Sequence, residues 1–468
     1  MPSGQGSFCD RVNNPELPSP SRGEGWDGGD EGYSTMRLEL NIVTIRDIQF
    51  ADKTVVSDGV LYINRSQLQE LLLEDGRFSQ VEIELTHPGK KCRILRVLDV
   101  VEPRAKATDG DEDFPGVVGG QVPVGKGSTC VLRGTAVVIS DYRMMPEIST
   151  SRDPNGEIID MFGPAAELSI YGKTHNIVLL CTPANGVGTQ EYMAALKIAE
   201  LKTSAYLAKA GKGITPDATE VFELPALPEV SRGLEKLPKV VYIFQILTLQ
   251  FEPIPGEPVL YGKNVPDIVP TLIHPNEILD GAVTSAFPAL NVQTYQIQNH
   301  PIIKELYKRH GKELCFAGVI MTTAPNNVAD IERVSNMAAG LAKYILGADG
   351  AILTKTGGGA PELTMARTAQ RCEQLGIKTA IAMLHMGADI SDTKYGGTTI
   401  FSMPEVDAIV SMGGPFMELT LPAVDRVVGR PNLTSEGRPI DGEIVKAIRW
   451  IKGSQCQLGG SRLRAVRY

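Results

Sequence analysis

The chain has 468 residues, with 46 Lys plus Arg against 55 Asp plus Glu and a net charge of −9. At roughly 150 residues per domain this is about three domains' worth of chain, and 42% hydrophobic residues is a globular composition. The net negative charge, without a long basic run, argues against a nucleic-acid partner. The greasiest stretch, Val240 to Phe251, falls far short of the ~20 residues a membrane-spanning helix needs.

Sixteen of the first 35 residues are Gly, Pro or Ser, with two basic against six acidic side chains and no apolar signal core. Residues 1–35 therefore read as a disordered leader, or as an extension upstream of an alternative start at Met36. The seven cysteines are odd in number, scattered and never paired as CxxC. That usage points to reduced thiols and a cytoplasmic protein.

From Arg37 the pattern is β-like. Leu38–Phe50, Thr54–Asn64, Gln80–Thr86 and Lys91–Val101 are rich in Val, Ile and Leu and partly alternate, as half-buried strands do. Leu68–Leu73 reads as a helix. Thr108–Gly127 is a Gly/Pro/Asp loop, and Thr129–Ser140 a further strand. These segments define a β-rich N-terminal region, 36–150.

Residues 151–430 read as parallel α/β layers. Apolar runs at His175–Cys181, Val240–Leu249, Phe316–Thr322, Gly350–Leu353, Thr379–Met383 and Ala408–Met412 predict strands. Helical spacing predicts helices over Thr189–Ala210, Pro301–His310, Asn327–Leu346 and Glu362–Leu375. Strand, loop, helix, strand is the pattern of a parallel sheet, whose ligands bind beyond the carboxyl ends of the strands. The fold class is therefore α/β. Residues 431–468 read as a basic, loosely ordered tail.

The loop Thr354–Glu362 carries Gly357, Gly358 and Gly359 and opens a helix at Glu362. Its amides are suited to an anionic group. Gly413 and Gly414 form a second such loop on the same rim. A flexible connection is the competing explanation for both. His300 is either a helix-entry residue or a polar pocket group, whereas His310 ends a helix, where a cation is stabilising. Gly120–Lys126 (GQVPVGK) has the spacing of a phosphate loop. However, Gly127 stands where a Ser or Thr should bind magnesium, and the segment leads into a strand. No GxGxxG follows a predicted strand, and no HExxH or CxxC is present, so neither a dinucleotide nor a metal site is expected.

Leu38–Asn64, Leu98–Gly110, Glu191–Ala210, Leu237–Gln250, Pro270–Val283, Asn299–Thr322 and Leu341–Glu362, taken in order, resemble the component B α/β-subunit precursors of glycine, sarcosine and betaine reductases. These are also similar to the D-proline reductase proprotein. The resemblance implies a precursor cleaved at a cysteine to expose a pyruvoyl group, an electron sink that binds the substrate amine as a Schiff base. It also implies a partner subunit whose cysteine or selenocysteine takes the carbon fragment. In the family the cysteine follows an Asn shortly after the DGA(I/V) segment. Here the matching stretch, Asp280–Tyr295, contains no cysteine.

The expectation is thus a reductase-like subunit acting on a small amine or amino-acid-derived substrate, without a cysteine-derived pyruvoyl group or other cofactor. Ser285 is the residue that would replace the cysteine if a pyruvoyl group formed, with Thr284–Ser285 as the scissile bond. Ser285, His274 and His300 are the candidate catalytic residues. Gly357, Gly358, Gly359, Glu362, Gly413 and Gly414 are the candidate substrate-binding residues, with Thr284 to Phe287 lying against them. The alternative is a non-catalytic binding or scaffold subunit that retains the fold.

Overall fold

A computed structural model describes residues 35–108, 113–141, 156–246, 259–265, 268–285, 287, 292–356, 360–384, 406, 408–414, 417–430, 437–460 and 464–465. Gly357, Gly358 and Gly359 lie outside the described residues.

The N-terminal half builds two four-stranded sheets. In the first, Ala218–Pro225, Thr35–Thr44, Gly127–Arg133 and Arg104–Lys106 lie side by side; in the second, Phe78–Thr86, His175–Pro183, Thr135–Ser140 and Val97–Val101 do. The long run expected over Thr129–Ser140 is divided at Gly134, whose φ is +93°. A Cβ there would sit 2.5 Å from the Ile45 carbonyl oxygen, so only glycine lets the two backbones approach.

Strand pairing crosses the boundary at residue 150. His175–Pro183 pairs with both Thr135–Ser140 and Phe78–Thr86, and Ala218–Pro225 pairs with Thr35–Thr44. An uninterrupted apolar strand suits this central position, because both of its faces are covered. The Thr189–Lys209 helix buries 13 of its 21 residues, including Tyr192, Met193, Leu196 and Leu207. These pack with Val137, Ile139, Ile177 and Leu179 in one core. Such a helix has no broad solvent face, so its charged residues are carried inside.

The C-terminal half is a seven-stranded sheet. Its order is Thr271–Ile273, Cys315–Thr322, Lys239–Gln245, Gly350–Thr354, Lys378–Met383, Ala408–Ser411 and Arg464–Ala465. The middle five strands are parallel. Numbered along the chain, those five run 2-1-3-4-5, with a topological switch between Lys239–Gln245 and Gly350–Thr354, the position at which open α/β sheets form a crevice. Helices Val328–Gly340 and Ala360–Gln374 pack together beside it. The first continues as a π-turn over Leu341–Ile345, where a single helix to Leu346 was expected.

The tail differs from expectation. Cys456 and Leu458 join the core of the seven-stranded sheet, and Gln455 and Gln457 are buried with them. Further upstream, Ile440, Ile444 and Ile451 pack with Leu95 and Ile158. Fully buried Arg93 pairs with Asp160 at 2.7 Å and donates to the carbonyls of Ile440 and Pro422. Basic composition hid these apolar anchors, each separated by polar residues.

Candidate functional site

The carboxyl rim of the parallel sheet gathers uncharged polar side chains inside the protein. Gln245 and Thr322 end neighbouring strands in register, and Phe244 is in register with Thr354. Gln245, Thr322 and the Thr354–Thr356 segment therefore leave the sheet together. Both amide atoms of Gln245 and the hydroxyls of Thr322 and Thr356 are buried without a hydrogen-bond partner among the described residues. Groups left so usually have an additional ligand or solvent partner, because an unmade buried hydrogen bond costs about 1–3 kcal/mol.

Beside them, Lys355 donates to Glu362 at 2.9 Å, both side chains being buried. Burial lowers the Lys355 pKa, an effect that Glu362 opposes. Glu362 is thus tied to a cation at the first turn of the Ala360–Gln374 helix.

His300 reaches this rim through Tyr242. The Tyr242 hydroxyl meets His300 Nε2 at 3.1 Å and also the Thr354 hydroxyl. His300 is fully buried, and Nδ1 accepts from the Ile303 amide, capping the Pro301–Arg309 helix. Burial holds its pKa down at about 3. It is therefore a buried, neutral N-cap of the Pro301–Arg309 helix, linked to the rim through Tyr242.

Gly413 completes the rim with φ +125°, close enough that a Cβ would lie 3.0 Å from Gln455 Nε2. Gly414 is buried beside it. The Gln455 carbonyl in turn accepts from Gln296 at 3.0 Å. Through this contact the rim joins the Thr294–Gln298 helix, immediately after the segment containing Ser285.

Ser285 itself is held by an inner charge cluster. Its amide donates to Thr294 Oγ1 at 3.0 Å, its hydroxyl to the Val292 carbonyl at 2.8 Å, and its own carbonyl accepts from Lys197 Nζ at 2.8 Å. Lys197 also contacts Asp99 at 3.0 Å and Glu200 at 3.1 Å, with its ammonium 3.8 Å from the Phe287 ring centroid. Burial alone would lower the Lys197 pKa, but Asp99 and Glu200 reverse this and raise it. Burial pushes Glu200 well up, despite Lys197. The Lys197 ammonium therefore stands between Asp99 and a Glu200 carboxyl whose pKa burial raises.

A second cluster fixes the approach to this segment. Glu102 accepts from Arg104 at 2.6 Å, Arg133 at 2.7 Å and Asn299 at 2.9 Å. Burial opposes its charge, yet the two guanidiniums and Asn299 hold its pKa down at about 2. Arg104 also donates to the Leu279 carbonyl. Asp280 accepts from Lys106, from the Gly125 amide at 2.7 Å and from Thr129 at 2.7 Å. Gly125 thus spends its amide on a carboxylate of this chain, so GQVPVGK acts as a structural loop. Arg104, Lys106, Thr129 and Asp280 also line a small, partly open cavity of about 20 Å³. Its charges are already paired, which makes it a weaker ligand site than the rim.

His274 stands elsewhere. Its Nδ1 accepts from the Asn276 amide, while Glu277 returns to the His274 amide at 2.8 Å, forming a capping box for the Pro275–Leu279 helix. Burial keeps its pKa down at about 4. No contact brings it to Ser285 or to the rim among the described residues. Asp99, Glu102, Arg104, Lys106, Lys197 and Glu200 had no assigned role from sequence. Their signal was charge inside apolar elements, LDVVEPRAK and AALKIAEL.

These residues do not fit formation of a pyruvoyl group. The Asp280–Tyr295 segment has no cysteine. Serine attack would fall on the carbonyl of Thr284, whereas Lys197 grips the carbonyl of Ser285 and the hydroxyl is committed to Val292.

Residues 36–450 match the family described as glycine/sarcosine/betaine reductase component B subunits. The chain is 34% identical over 446 residues to the glycine reductase complex component B subunits alpha and beta of Acetoanaerobium sticklandii, covering 92% of this chain and all of the relative. It is 35% identical over 398 residues to the sarcosine reductase complex component B subunit alpha of Peptoclostridium acidaminophilum, covering 84% and 89%. The betaine reductase complex component B subunit alpha of the same organism is 33% identical over 407 residues, covering 84% and 88%. No solved structure matches the chain. The protein belongs to the family of glycine/sarcosine/betaine reductase component B subunits.

Proposed function

We propose that this chain is a subunit of a reductase complex that binds a small amine or amino-acid-derived substrate at the carboxyl rim of its parallel sheet. It works as an uncleaved polypeptide, with a thiol or selenol supplied by a partner subunit. The carrying observation is the set of unpartnered buried polar atoms on Gln245, Thr322 and Thr356, on a rim that the family match spans. An amide and two hydroxyls can accept and donate to a small polar molecule in a site shielded from water. The six described cysteines are all buried. Burial raises the thiols of Cys92, Cys130 and Cys456 to about 11 and that of Cys372 to about 12. Such thiols are poor nucleophiles, which favours a partner-borne one.

The test is amine release from glycine, sarcosine and betaine by the chain purified with the products of its neighbouring genes. Thr356→Val and Gln245→Leu should reduce release at least about ten-fold, which corresponds to one lost hydrogen bond to a bound substrate. Unchanged release in both folded variants would contradict the rim as the site. The scaffold reading draws support from the committed hydroxyl of Ser285. It predicts a stable complex in which neither variant affects substrate binding.

A further inference from the structure

Far from the rim in sequence, three side chains converge at the edge of the N-terminal sheets. His87 follows the strand Phe78–Thr86, and His175 opens the neighbouring strand His175–Pro183. Asn176 is in register with Thr86, so the two histidines are the next cross-strand neighbours. Asp47 begins the strand Asp47–Phe50. It is drawn in because Ile45 bonds to the Arg133 carbonyl and His175 to the carbonyl of Gly134, the next residue.

The donor atoms face one another. His87 Nδ1 lies 3.1 Å from His175 Nδ1, and Asp47 Oδ1 lies 3.3 Å from the first and 4.0 Å from the second. We propose that Asp47, His87 and His175 form a binding site for a divalent zinc-type cation. Bonds of ~2.0–2.1 Å at tetrahedral angles put donor atoms roughly 3.3–3.4 Å apart. The observed separations therefore need only a small side-chain adjustment.

A further contact pre-orients Asp47. Its Oδ2 accepts from Gln49 Nε2 at 2.8 Å, which leaves Oδ1 toward the histidines. Outer hydrogen bonds of this kind orient ligands at metal sites. Without a cation, the facing nitrogens require one N–H and one lone pair; a cation engages both lone pairs. Asp47 and His87 remain 39% and 31% exposed, so ions have access and water can supply a fourth ligand. Two imidazoles and one carboxylate favour zinc-type ions over magnesium or calcium, which take oxygen ligands.

The experiment uses the untagged full chain, stripped with chelator and titrated with Zn²⁺ against a metallochromic indicator. Melting is followed in parallel. One equivalent should bind and raise the melting temperature, because a ligand that binds the folded state stabilises it. His87→Ala and His175→Ala should each weaken binding about ten-fold or more and abolish the zinc-dependent rise. Asp47→Asn should weaken binding by a smaller factor. If His175→Ala proves unfolded, the half-exposed His87 and Asp47 variants decide alone. Absence of competition with the indicator, or one-equivalent uptake that survives the His87 and Asp47 substitutions, would overturn the site.

Discussion

Lys197 shows what a single residue contributes to this fold. Its ammonium joins the Thr189–Lys209 helix to Asp99 and to the carbonyl of Ser285 in a space closed to water. Removing one partner of a buried pair leaves the other charge uncompensated, at a cost of about 3–5 kcal/mol. Lys197→Met should therefore lower the urea-unfolding free energy by about that amount, and a change below ~1 kcal/mol would show the pair to be energetically neutral.

His274 and His300 set the acid response. Both have folded pKa values below that of an ordinary histidine, at about 4 and about 3. As pH falls below ~6.5 the unfolded chain takes up these protons first, so stability is lost with falling pH by up to about 1.4 kcal/mol per unit for each histidine. Glu102, held at about 2, adds a further loss once pH passes below the ordinary carboxylate range. The histidines' contribution to the urea midpoint should fall from pH 6.5 to 4, opposed by Glu200, whose raised pKa favours the folded chain as pH falls toward the ordinary carboxylate range. His300→Gln should reduce the slope by about one proton's worth, and an unchanged slope would mean that His300 is not buried neutral.

Among the elements, the tail gives the clearest departure from sequence expectation. Leu458 is fully buried in the core of the parallel sheet. Leu458→Ala should cost about 2–5 kcal/mol in urea denaturation, as other core truncations do; a cost under ~0.5 kcal/mol, the surface range, would restore the picture of a loose tail. The parallel strands and the helices at Thr189, Pro301 and Ala360 were legible because their apolar spacing is strong over many residues. The tail was not, because isolated apolar residues among Gly, Ser and Arg carry no period. The same limit applies to the charge clusters. Asp99 and Lys197 stand 98 positions apart, and Asp47, His87 and His175 belong to three separate strands or strand ends. Only β-pairing brings such residues together, and motif spacing cannot register it. Sequence placed the loops carrying Glu362 and Gly413 on one rim, because loops after parallel strands have a common destination; His300 was weighed only from its position before Pro301. Sequence did not separate His274 from these residues, since a capping histidine and a catalytic one have the same local sequence.

At the scale of the whole molecule, two β-rich sheets and a parallel sheet share the Asp280–Tyr295 neighbourhood. Asp99 reaches it through Thr294, and Gln455 bonds to Gln296 of the helix that ends it. Under the function proposed above, this junction operates in a continuous chain in which Ser285 is a held structural residue. Ser285→Ala should then leave the chain length unchanged and reduce amine release only partially.

The most direct measurement is the intact mass of the protein purified with its partners, under denaturing conditions. A single polypeptide of 50.5 kDa is expected for the full chain, with no pyruvoyl-blocked fragment. Two fragments divided at the Thr284–Ser285 bond, the second resistant to Edman degradation and both lost in Ser285→Ala, would contradict it.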